Sequence, residues 1–141
     1  ALQAQHHGPI RVPRRLREDF SGTAALCRQW VRRHVENEAV AVDLDRAVLE
    51  YGQGRLDADE AERISFILGD VMTVAGIGKA DLLVALNYAL CYMHSHARLV
   101  EYLKRAKEAL APGGVFIADG FGGRRSPYEP WSMERDCPSG F

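Results

Sequence analysis

The chain has 141 residues, 47% of them hydrophobic and 26% charged, and a formal net charge of −1. That balance suits one soluble globular domain with one core and leaves little room for a second. It argues against a protein that coats nucleic acid or an anionic membrane, and no apolar stretch approaches the roughly 20 residues of a membrane span.

The basic run of Arg11, Arg14, Arg15 and Arg17 reads by itself as a solvated segment. Yet a first strand has to precede the helical pattern that follows, and 14–19 is the stretch left for it. From Thr23 to His34, the residues Leu26, Cys27, Trp30, Val31 and His34 share one helix face. Ala39-Val40-Ala41-Val42 is a continuous apolar run, followed by Asp45 as a cap for a short helix carrying Val48 and Tyr51, with Gly52 as its left-handed stop. Further apolar runs fall at 64–68, 82–86 and 115–118. Between the last two, a helix beginning near Ser95 buries Leu99, Leu103, Ala106 and Leu110, and Ala111-Pro112-Gly113-Gly114 ends it.

Strands apolar on both faces belong to parallel sheets covered by helices. The fold class is therefore α/β, a Rossmann-like open and mostly parallel sheet with helices on both faces. The expected layout is an N-terminal segment at 1–15, a core at 16–123 and a C-terminal part beginning at 124. The chain starts at Ala1 and stops at Phe141 without a closing element, so it reads as a piece of a longer protein that lacks the last strands of its sheet. No N-terminal layout of a secretory signal is visible. Cys27, Cys91 and Cys137 show no metal-binding spacing, so reduced thiols in a cytoplasmic protein without a metal are expected.

In such a sheet, ligands bind outside the carboxyl ends of the strands. Glu18-Asp19-Phe20-Ser21-Gly22-Thr23-Ala24 leads into a helix, where Gly22 permits a tight turn and close approach to a ligand. Asp43 ends a buried strand about 20 residues later, where dinucleotide-type folds place the acid that accepts two ribose hydroxyls. Asp43 and Asp45 could each cap the next helix; the preferred reading gives Asp43 the ribose and Asp45 the cap. Asp70 could accept from an exocyclic amine such as that of adenine, with the Val71 amide facing a ring nitrogen, or it could be an ordinary turn aspartate.

Taken in order, these motifs resemble the class I S-adenosylmethionine-dependent methyltransferases. Glu18–Ala24 looks like the glycine-rich first motif and Ala39–Asp45 like the strand and acid after it. Leu68–Val71 resembles the adenine-side motif, Ala80–Tyr88 the fourth-strand motif, and Leu110–Ile117 the turn into the fifth strand. The resemblance implies S-adenosylmethionine as cofactor. It places Glu18 near the amino group of the methionine moiety, with Phe20, Ser21, Gly22 and Thr23 around it. It also implies Asp43 and the adjoining Leu44 at the ribose, Asp70 and Val71 at the adenine, and Asn87 close to the reacting methyl. Phe20 and Ala24 stand where the family usually has glycines.

Methyl transfer requires chiefly alignment, and a general base only when the acceptor must lose a proton. Tyr88, His94, His96 and Asp119 are positional candidates for that base, with His94 and Tyr88 preferred. Tyr88, Tyr92 and Met93 either wall an acceptor pocket or pack as core. The acceptor expected is a small molecule, with no nucleic-acid partner. A nicotinamide-dependent oxidoreductase shares the fold but needs three glycines where this turn has one. A non-catalytic module that kept the fold is the other alternative.

Overall fold

The computed structural model describes residues 12–120. The expected C-terminal part from 124, most of the N-terminal segment, Arg11 and Cys137 lie outside the described residues. Five strands, β1 (Arg15–Asp19), β2 (Glu38–Asp43), β3 (Ile64–Leu68), β4 (Ala80–Ala85) and β5 (Leu110–Ala118), form one sheet in the order β3-β2-β1-β4-β5. Every pairing is parallel. The helices are α1 (Ala25–Arg33), α2 (Arg46–Gln53), α3 (Ala58–Arg63) and α4 (His96–Ala109), with a 3₁₀ turn at Ala89–Tyr92. Among the described residues no helix is long and apolar enough to cross a membrane.

Alternation along the central strands divides the core in two. Leu16, Ala39, Ala41 and Val84 pack with Cys27 and Val31 of α1 on one face. Val40, Val42 and Ala85 pack with Tyr102 of α4 on the other. Each fully buried aliphatic side chain there contributes roughly 1.5–3 kcal/mol relative to exposure.

The least apolar strand is the most informative. Leu16, Arg17, Glu18 and Asp19 of β1 are all buried, so of the basic run Arg17 is not solvated, while Arg14 and Arg15 are half-buried. Position explains this result: β1 is the central strand, with α1 packed on one face and Tyr102 of α4 on the other. Buried charges persist only when paired. Arg17 Nε donates to Asp19 Oδ1 at 2.7 Å, and the Tyr102 hydroxyl donates to Asp19 Oδ2 at 3.0 Å.

Three further expectations change. The buried stripe of α4 is Tyr102 and Ala106, with Leu103 40% exposed, so the helix is rotated from the expected face. In α2 the buried residues are Leu49 and Gly52, and Tyr51 is exposed. Gly52 is helical and its role is packing: a Cβ there would lie 2.4 Å from the Thr23 carbonyl oxygen. Helix α3 was not expected from the sequence. Six residues carry no readable apolar face, but its capping box between Asp57 and Glu60 is a sequence-visible start signal.

Candidate functional site

Strand order reverses at β1, which lies between β2 and β4. The crevice at the carboxyl ends of β1 and β4 is thus the ligand position this architecture favours. Four non-glycine residues with positive φ stand on its two sides: Phe20 (58°) and Ala24 (56°) after β1, and Asn87 (59°) and Tyr88 (60°) after β4. Each costs of order 1–3 kcal/mol, and such strain concentrates where a binding geometry has to be held. Two of them, Phe20 and Ala24, occupy the positions where glycine was expected.

The turn after β1 is tied down from three directions. The Ser21 amide donates to the Val42 carbonyl at 3.0 Å, and the Gly22 amide to Asp43 Oδ2 at 2.7 Å. Beneath it, Glu18 Oε2 accepts from the Cys27 amide at 3.3 Å and from the Cys27 thiol at 3.1 Å. The residue before α1, Ala24, has no capping side chain, so Glu18 satisfies one of the open amides of the first turn from the adjacent strand. Burial raises the carboxyl of Glu18 above its ordinary value, against the lowering effect of the Cys27 bonds, with Asp43 adding to the rise. Burial likewise pushes the Cys27 thiol well up. No atom lies within 4 Å of where a Gly22 Cβ would stand, so the outer side of the turn is open.

After β2, Asp43 Oδ1 accepts from the Asp45 amide at 2.9 Å while Asp45 Oδ1 accepts from Ala47 at 2.8 Å. Asp45 is the cap, and Asp43 joins two loops. After β3, Asp70 Oδ1 accepts from the Met72 amide at 2.8 Å, and its Oδ2 lies 4.0 Å from an Arg98 nitrogen. After β4, the amides of Asn87 and Tyr88 donate to Asp119 at 3.0 and 2.8 Å.

A cavity of about 370 Å³ opens between these loops. Phe20, Asp43, Leu44, Asp70, Val71 and Asn87, the sequence candidates for cofactor binding that the structure brings together, line it. Arg98, Leu86 and Tyr92 line it as well, and the sequence reading had not assigned them to the cofactor. Their signal was weak: Arg98 sits on a helix whose face was misjudged, and the 3₁₀ turn was not anticipated.

The remaining candidates lie outside the lining. Glu18 and Ser21 are buried below the turn, and Thr23 is exposed with its carbonyl against Gly52. Tyr88 is 52% exposed. His94 is exposed and absent from the lining, where Tyr92 and Met93 of the same loop stand instead. Tyr92 is 66% exposed and stacks on Phe20 with ring centroids 6.2 Å apart, so it is wall and not core.

Known proteins match this arrangement. The model of a methyltransferase domain matches residues 20–114. The ubiquinone/menaquinone biosynthesis C-methyltransferase UbiE of Cereibacter sphaeroides is 23% identical over 126 residues, covering 89% of this chain and 49% of that protein. This chain thus spans about half the length of the curated relatives it matches. Among solved structures, CalS10, an amino pentose methyltransferase from Micromonospora echinaspora with S-adenosylmethionine bound, superposes with a TM-score of 0.68. It is 21% identical, with 80% of this chain and 45% of that one covered. The glycopeptide N-methyltransferase MtfA in complex with S-adenosylmethionine gives a TM-score of 0.67 at 21% identity, with 93% and 57% covered. The family match over most of the described core, joined to this strand order, shows that the chain belongs to the methyltransferase domain family in its class I, S-adenosylmethionine-dependent form.

Proposed function

We propose that this chain holds S-adenosylmethionine in the crevice between β1 and β4 and directs its methyl to a small-molecule acceptor. The observation that carries the reading is the convergence of Asp43 and Asp70 on one cavity, with the Gly22 amide bound to Asp43.

The residues fit the cofactor. Each Asp43 oxygen is used once by an amide and keeps a second lone pair for a hydroxyl proton, which suits a ribose diol. The Arg98 nitrogen stands 4.0 Å from Asp70 Oδ2, beyond hydrogen-bond range, so that oxygen can take an exocyclic amine. Val71, Leu86 and Ala89 supply apolar lining for a base ring, with Leu44 exposed at the lip. The open side of Gly22 leaves room for the rest of the ligand.

When bound, S-adenosylmethionine supplies a methyl already activated on a sulfonium. The work left to the chain is positioning and exclusion of water. Asn87, in the lining at the end of β4, would meet the methyl side, with the stacked Phe20 and Tyr92 rings in the same wall. Glu18 contributes from below by holding the start of α1. Tyr88 at the mouth is a candidate base where an acceptor carries a proton to be lost; His94 would reach it only by rearrangement of the 3₁₀ turn. Similarity to a quinone-biosynthesis C-methyltransferase and to amino-sugar and glycopeptide methyltransferases supports an acceptor outside the nucleic acids.

Calorimetric titration with S-adenosylmethionine, S-adenosylhomocysteine and NAD tests the reading. The first two should bind, and Asp43→Ala should weaken them about 100-fold, since hydrogen bonds to a charged group are each worth about 1.5–3 kcal/mol. Binding of NAD alone, or of none of the three, would refute it.

A further inference from the structure

We propose that Asp119 is a positioning residue, whose carboxylate clamps the loop after β4 in the shape that presents Asn87 to the cofactor. The proposal rests on the reading of the cavity as the cofactor site.

Two consecutive non-glycine residues, Asn87 and Tyr88, hold φ of 59° and 60°. Left-handed residues of this kind normally occur singly, and a pair persists only where the surroundings over-determine it. Successive amides in such a turn point into a common concavity suited to an anion. Here the anion belongs to the chain. Asp119 Oδ2 accepts from the Asn87 amide at 3.0 Å and Oδ1 from the Tyr88 amide at 2.8 Å, one oxygen to each.

Register explains how a residue 31 positions further on reaches them. Ala118, the last residue of β5, pairs with Ala85, the last of β4, so the next residue on one strand stands beside the exit of the other. A parallel sheet thereby ties together two loops that share no local sequence. Asn87 and Tyr88 are both exposed, and the carboxylate charge strengthens the two bonds that hold them. The sequence reading named Asp119 among possible bases. With an amide on each oxygen, its role is to shape the loop that meets the methyl.

Asparagine at this position keeps one acceptor oxygen and turns a donor toward the second amide. In the full chain, Asp119→Asn should raise hydrogen exchange at the Asn87 and Tyr88 amides at least about tenfold, leaving Val84 and Ala85 in β4 protected. Affinity for S-adenosylmethionine should fall about tenfold, and Asp119→Glu, which restores both acceptors on a longer arm, should recover part of it. Unchanged exchange at the two amides would overturn the clamp. Faster exchange with unchanged affinity would overturn its role in presenting Asn87. General loss of protection that includes β4 would show a merely structural role and overturn the proposal as well. A wild-type chain that fails to bind S-adenosylmethionine sinks the functional reading and this role with it, while exchange at the two amides still decides the clamp.

Discussion

The two sides of the crevice are built differently. On the β1 side the turn is embedded: Ala24 is fully buried, Asp19 is 1% exposed, and Gly52 leaves no room for a methyl against Thr23. On the β4 side Asn87, Tyr88 and Tyr92 are exposed, and one carboxylate at the end of β5 holds the first two. Both sides hold left-handed residues, but the β1 side adds core packing to its carboxylate hydrogen bonds, whereas the β4 side relies on two such bonds at the surface. The difference separates a half held inside the core from a half held at the surface.

Variants that attack the embedded side should therefore cost stability first. The largest effect is expected at the buried ion pair. Asp19→Leu strands the Arg17 guanidinium, which is itself 7% exposed, and should destabilise by about 3–5 kcal/mol in chemical denaturation. Adding Arg17→Met should recover most of that loss, because a buried pair replaced by packed apolar groups is often neutral or better. The Tyr102 hydroxyl would still lack its acceptor, at a cost of about 1–3 kcal/mol. A single variant as stable as the wild type would show that the β1 side is less embedded than its burial implies.

Gly52→Ala comes next. Its methyl would collide with the backbone of the glycine turn, at a cost of about 2 kcal/mol despite the better helix propensity of alanine. The turn would shift together with α2, so cofactor affinity should fall with stability. A stability loss with no change in affinity would separate turn from cavity and break the comparison. Smallest is Tyr92→Ala on the exposed side, which removes a stacked ring contact worth about 0.5–1.5 kcal/mol. The melting temperature should fall by only a few degrees, about 2–5 °C. If Tyr92→Ala destabilised as much as Gly52→Ala, the two sides would not differ as described.

Legibility from sequence followed the same division. Where a signal is local, it could be read. The apolar runs of β2, β3 and β4 need only the hydrophobic effect, and the Asp45 cap needs only the next three amides. The acids Asp43 and Asp70 could be singled out because they stand at the end of such a run or one residue beyond it. Strand β1 was placed from the demands of the fold alone, since one of the two partners that make Asp19 tolerable is Tyr102, 83 positions away. The face of α4 was misread for a related reason: Tyr102 is drawn inward by that buried acid, whereas leucine periodicity alone favoured Leu103. Gly52 looked like a helix stop because its close neighbour, Thr23, belongs to another element.

The amino-acid sequence by itself determined the class of fold, the order of its apolar strands and longer helices and the acids at the strand ends, because periodicity, capping and the burial of apolar runs act over a few residues. Tertiary structure alone decided which charges could be buried, which glycine had to stay small and which carboxylate would hold the loop after β4. Those outcomes depend on groups brought together by strand pairing across tens of residues, where desolvation and steric contact, and not local propensity, set the energy.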